Sequence, residues 1–226
     1  MISDYYCNHR NQAISIFSLL VSIAIIQLFN DSLVILLLLL CIWFFLFKPF
    51  NIAEFLVFIL ATLSIIGQNY SVLKSGGFTF RTKDFLLMPY YEPFLWGFYY
   101  LNIKRFVGER RDAVKLAPKA FVGLIITALC FSFFSYDSNL LTIFSATTTL
   151  LLLAMFHQRH DLYYAGYALV LGFLVELFGV YTGKWSYPEP DILGIPYWFA
   201  SMWVSVGLLG RRFLIPVAEW LSKKKP

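Results

Sequence analysis

Two acids, Glu176 and Glu92, stand within or at the edge of apolar runs of this 226-residue chain. A charge in hydrocarbon costs several kcal/mol, so an intramembrane acid is as a rule functional or paired. A carboxylic acid in apolar surroundings can act as a proton donor, with a second polar group managing the conjugate step. Glu176 and Glu92 are therefore the candidate catalytic pair, with Asn69, Asp84 and Asp191 as polar support. Four aromatic residues, Trp185, Tyr187, Phe78 and Phe80, recur at i and i+2, which puts each pair on one side of an extended segment. Their π faces could shield a developing positive charge. Two plainer readings stand beside this one: Glu176 snorkelling to a nearby interface, and the aromatics forming an interfacial belt.

The elements that must position these residues are membrane helices. Hydrophobic residues make up 59% of the chain, charged residues 14%, and the mean hydropathy is +0.70. Runs such as Ser32 to Phe47 contain no ionisable side chain until Lys48. Apolar runs of about 17 to 20 residues match the thickness of a bilayer core. Hydropathy places spans at roughly 13–29, 32–47, 52–70, 89–103, 120–136, 139–156, 162–181 and 195–210. The first reads as a retained helix and not a signal peptide, since one basic residue, Arg10, precedes it and no Ala-x-Ala pattern follows.

With eight spans the loops alternate sides. One face then carries Arg10, Lys48, Lys104, Arg105, Arg110, Arg111, Lys115, Lys119, Arg159, Arg211, Arg212 and Lys223 to Lys225. The other carries Lys74, Arg81, Lys83 and Lys184. The positive-inside rule makes the first face cytoplasmic, with both termini on it, in a cell inner membrane. The expected partners are a membrane lipid or isoprenoid and, at the basic loops and tail, anionic headgroups. The net charge of +5 is explained by topology and does not indicate nucleic acid. No cofactor is expected. His157 and His160 beside Asp161 read as a polar loop and not a metal site, and the odd count of three cysteines suggests no disulfide framework.

Sliding the chain against itself by 107 residues aligns Gly76–Phe106 with Gly183–Phe213 without a gap. Nine of 31 positions are identical, including Gly76/Gly183, Asp84/Asp191, Pro89/Pro196, Tyr90/Tyr197, Trp96/Trp203 and Arg105/Arg212. The expected fold class is an all-α polytopic bundle of about eight helices, built as two parallel four-helix repeats over 13–106 and 120–213. A basic linker, 107–119, joins them, a short segment, 1–12, precedes them, and an interfacial basic tail, 214–226, follows. Each half keeps one acid that the other lacks: Glu176 falls opposite Asn69, and Glu92 opposite Phe199.

The stretch Glu176–Trp203, ELFGVYTGKWSYPEPDILGIPYWFASMW, resembles a motif of the carotenoid-hydratase membrane family. There a Glu, a Gly-Val-x-Thr-Gly run, a Gly-x-Tyr segment and a Gly-x-Pro precede a Trp-containing helix. Pro89-Tyr90-Tyr91-Glu92 is similar, more distantly, to the Pro-x-Glu motif of small-subunit lycopene cyclases, although those show paired Glu. The resemblance implies protonation or hydration of an isoprenoid alkene within the bilayer. Three functions are open on the sequence: a lipid-modifying acid–base enzyme (hydration, cyclisation or isomerisation), a small-molecule or lipid transporter working in the cleft between repeats, and a non-catalytic scaffold subunit.

Overall fold

A computed structural model describes the backbone of residues 2–108 and 118–223, and side chains from residue 9 onward within them. Arg110, Arg111, Lys115, Lys224 and Lys225, and most of the expected linker, lie outside the described residues. Among those described, the chain runs α1 (Ile2–Leu28), α2 (Ser32–Leu46), α3 (Ile52–Lys74), β1 (Thr79–Phe80), α4 (Glu92–Val107), α5 (Pro118–Phe134), α6 (Ser138–Met155), α7 (Arg159–Tyr181), β2 (Trp185–Ser186) and α8 (Trp198–Leu209). A π-helical turn, Gly210–Leu214, then carries α8 into α9 (Ile215–Lys223).

The protein is a multi-pass integral membrane protein. His9–Leu28, α3, α6 and α7 are each long and apolar enough to cross a bilayer, and α2 and α5 are shorter apolar helices. Large side chains such as Leu28, Phe45, Leu63 and Leu150 stand exposed on the outside, as a lipid-facing surface requires. Helix α4 is less apolar because it is the inner one: Phe94 through Ile103 are all buried by the helices around it.

The two repeats take up the same local structure for the same reasons. Asp31 caps α2 by accepting from Leu33 N and Val34 N, at 2.9 and 3.0 Å. Asp137, 106 residues on and so one short of the repeat offset, caps α6 through Asn139 N and Leu140 N, both at 3.0 Å. Such caps satisfy amides that a helix start leaves unpaired. Asn51 with Glu54, and Gln158 with Asp161, form capping boxes at the starts of α3 and α7. Ahead of α4 and α8, the bridges Phe85–Met88 and Ile192–Ile195 close equivalent tight turns. Leu86, Leu87 and Leu193, Gly194 adopt left-handed backbone there. Asp84 and Asp191 accept the amides of Tyr90 and Tyr197.

Strands β1 and β2 pair antiparallel, Thr79 opposite Ser186 and Phe80 opposite Trp185. Thr79 and Ser186 are themselves repeat equivalents, so a pseudo-twofold axis passes between them. Trp96 and Trp203, also equivalents, stack at 5.0 Å between ring centroids and 23° between planes. One axis therefore runs from the ribbon through the stacked indoles, along the bundle, as parallel repeats require.

At the opposite end from the ribbon each repeat closes with an ion pair. Arg105 reaches Glu54 with Nε–Oε1 at 3.0 Å and Nη2–Oε2 at 2.8 Å, and also donates to Phe47 O. In the second repeat Asp161, fully buried, takes both Arg211 and Arg212.

Two expected boundaries differ. Pro89 and Pro196 lie in the entry turns, where their carbonyls accept from Glu92 N and Phe199 N, and α4 and α8 begin after them. The segment expected as a separate tail continues the α8 helix through the π-helical turn, and it buries Ile215, Pro216 and Ala218 in the bundle.

Replacing Asp161 with Asn strands two guanidinium groups, a loss of about 3 kcal/mol or more for a buried pair. Glu54→Gln, whose side chain is 12% exposed, should cost less. Thermal unfolding in detergent should rank the two variants in that order.

Candidate functional site

Below the β-ribbon the two halves enclose a small chamber. Its carboxyl groups come from α7, whose Glu176 lies five residues before the helix end, and from the first residue of α4, Glu92. Both are buried, 7% and 8% exposed. Asn69, from α3, donates through Nδ2 to Glu92 Oε1 at 3.1 Å, and Trp96 Nε1 donates to the same oxygen at 2.8 Å. Glu92 and Trp96 are one helical turn apart, which brings their side chains together. Glu176 Oε2 accepts from Trp185 Nε1 and from the Tyr187 hydroxyl, both at 2.7 Å. Thus Asn69 and Glu176, equivalent in the repeat, both project into the chamber, one as an amide and one as an acid.

The ribbon delivers Trp185 and Tyr187 to one side by strand alternation. Phe78 and Phe80 meet them there, with centroids 5.8 Å apart in the Phe78–Tyr187 and Phe80–Trp185 pairs. Close packing fixes the indoles: a Cβ on Gly179 would stand 1.9 Å from Trp185, and one on Gly172 2.2 Å from Trp203. Lys184 pins the ribbon to the α1–α2 turn, donating to Phe29 O at 2.5 Å and to Asn30 Oδ1. Burial, with the Arg81 charge nearby, holds its ammonium below the usual lysine pKa.

The structure thus brings Glu176, Glu92, Asn69, Trp185, Tyr187, Phe78 and Phe80 around one chamber. It places Asp84 and Asp191 outside, in the entry turns, where Asp84 also accepts from Ser32 Oγ. Trp96, Tyr99, Trp198, Met202 and Trp203 complete the wall. The repeat equivalence of Trp96 and Trp203 was the available signal for two of these. The free space between them is about 30 Å³, room for about two water molecules. The hydroxyl of Tyr99 and Nε1 of Trp203 are buried without a hydrogen-bond partner among the described residues. Among the described residues no three His, Cys, Asp or Glu side chains gather into one group.

The fold is similar to that of a mycobacterial Insig homolog. MvINS from Mycobacterium vanbaalenii matches with a TM-score of 0.65 and 16% identity, over 79% of this chain and 100% of that one. A cross-linked trimer of MvINS matches with the same TM-score and coverage at 17% identity. At this identity the likeness concerns the fold. No family model and no curated protein matches the chain. These neighbours overturn the resemblance to carotenoid hydratases and small-subunit lycopene cyclases. The residues that carried that motif do local packing work here. Gly179 makes room for Trp185, Gly183 has a φ of 65°, and Trp185 and Tyr187 hold Glu176.

Glu176→Leu would leave Trp185 Nε1 and the Tyr187 hydroxyl without an acceptor, costing about 2 kcal/mol or more. Glu176→Gln keeps an oxygen for them and should cost clearly less. Denaturation followed by circular dichroism in detergent separates the two variants; equal losses would show that the donor set does not hold the chamber.

Proposed function

We propose that this protein is a non-catalytic scaffold of the membrane, a rigid two-repeat block that holds partner proteins through its lipid-facing sides. The observation that carries this reading is the chamber. Each carboxyl already takes two donors from the chain, and about 30 Å³ of free space leaves no room for an isoprenoid or acyl substrate. A general acid must come within hydrogen-bond reach of the group it protonates. The fold is shared with a mycobacterial Insig homolog. The test compares cells with and without the chain by quantitative membrane proteomics and lipid profiling. The expected result is altered abundance or assembly of other polytopic proteins with an unchanged lipid profile. A lipid that accumulates on deletion, and is cleared by wild-type protein but not by well-expressed Glu176→Gln, would overturn the reading.

The block sits in the cell inner membrane with its basic end cytoplasmic. Arg10, Lys48, Lys119, Arg159 and Lys223 are exposed at helix ends away from the ribbon, placed to meet anionic headgroups. Arg105, Arg211 and Arg212 are committed to internal ion pairs and contribute less. Cysteines replacing Lys83 and Glu189 should be labelled by an impermeant maleimide from outside only, and one replacing Lys223 from the cytoplasm only. Labelling of all three from one side would refute the orientation.

A further inference from the structure

The chamber holds two carboxyl groups and, among the described residues, no Lys, Arg or His in its wall. Each acid turns one oxygen to two N–H or O–H donors, which favour its ionised form against the cost of burial. The donors Asn69 and Trp96 meet Glu92 at Oε1, and Trp185 and Tyr187 meet Glu176 at Oε2, so the second oxygen of each acid is turned to other contacts. Two acids enclosed together carry charge only at a cost, which a cation between them would offset.

An observation independent of the acids points the same way. The Tyr99 hydroxyl, on a residue 3% exposed, lines the same chamber and has no hydrogen-bond partner among the described residues, so its oxygen is free to accept. Trp203 Nε1 also has no hydrogen-bond partner among the described residues and lines the same chamber. The rings of Trp96, Trp198 and Phe80 supply apolar walls whose faces attract positive charge. Two carboxylates are too few ligands for a divalent metal, in keeping with the lack of a metal cluster among the described residues.

The geometry points to a binding site for a small primary ammonium ion, its N–H groups directed to Glu92 Oε2, Glu176 Oε1 and the Tyr99 oxygen. The free space, about 30 Å³, sets the size: ammonium or the head of a primary amine fits, and a trimethylammonium group does not. A groove between α1 and α7, lined by Gln27, Gly179 and Thr182, shares Tyr99 and Trp185 with the chamber. An approach from this side would let the amine come from solution or from a lipid headgroup. The site stands independently of the scaffold reading.

The test uses the full chain in nanodiscs at constant ionic strength, read by tryptophan fluorescence and by Tm. Four of the six tryptophans line the chamber. In phosphatidylcholine discs, methylammonium chloride should give a saturable fluorescence change and a raised Tm, while choline chloride and potassium chloride give neither. Replacing part of the lipid with phosphatidylethanolamine, without added amine, should reproduce the change if the headgroup is the source and leave it to free amine if not. The double variant Glu92→Gln with Glu176→Gln should abolish the response. Tyr99→Phe, which removes one oxygen and keeps the ring, should weaken apparent affinity about 2- to 12-fold, the worth of one hydrogen bond, and decides the matter if the double variant does not fold. No response to amine in either disc, a response to potassium equal to that to methylammonium, or an undiminished response in Tyr99→Phe would overturn the assignment.

Discussion

Polar groups inside a bilayer have no water to fall back on, and the rest of this structure answers to that constraint. Glu92 and Glu176 are the hardest case. Their donors come from elements far apart in sequence: an amide from α3, an indole from α4, and an indole and a phenol from the ribbon. Trp96 reaches Glu92 within α4 itself, but the other three donors are in place only once the helices, the ribbon and the glycine contacts that admit the indoles have formed. The chamber is thus a product of the whole fold, and its hydrogen bonds in turn fix how the ribbon caps the bundle.

The two halves solve the same packing problem with different chemistry. Where α2 meets α4, the contacts are aromatic: Trp43 with Phe94, and Phe47 with Phe98, at centroid distances of 6.1 and 5.4 Å. The positions equivalent to Phe94 and Phe98 are Ser201 and Ser205, and Thr149 of α6 bonds to Ser201 O at 3.0 Å and Ser205 Oγ at 2.8 Å. Small hydroxyl residues let α6 and α8 approach closely, as small residues do in membrane bundles. The reverse holds elsewhere. Ser15, Ser18 and Ser22 of α1 are buried, and Asn102 donates to Ser15 O while accepting from Tyr167. Their equivalents on α5, Val122, Ile125 and Leu129, face outward. The backbone twofold survives while each interface has been re-lined.

How far the sequence revealed this depends on the kind of information. Acids in apolar runs and a constant offset of 107 residues made Glu92, Glu176 and Asn69 visible, because charge in hydrocarbon is rare and a repeat aligns positions. The offset also assigned Asp84 and Asp191 to each other, and they are equivalent, but as acceptors for turn amides at the rim. Equivalence does not say whether two residues meet. Trp96 and Trp203 do, because they lie on the axis, whereas Asp84 and Asp191 lie away from it. Depth and direction of side chains belong to tertiary structure. The same gap explains the misleading motif: glycines and aromatics at short spacing encode a tight, packed loop, which different membrane folds can share.

The loss of symmetry at the chamber has a physical logic. A perfect repeat at these two position pairs would place four acids, four neutral groups, or one acid from each half related by the axis around one small space. Four carboxyls could not ionise together. Keeping Asn69 opposite Glu176, and Phe199 opposite Glu92, leaves two acids, with an amide donor where a third acid would repel them. Each half therefore contributes what the other has given up. The amide of Asn69 turns to the acid of its own repeat, Glu92, while Glu176 draws its donors from its own ribbon strand and the loop beyond it. The twofold scaffold supplies a position on each side of the axis, and divergence at two residue pairs turns those positions into one asymmetric site.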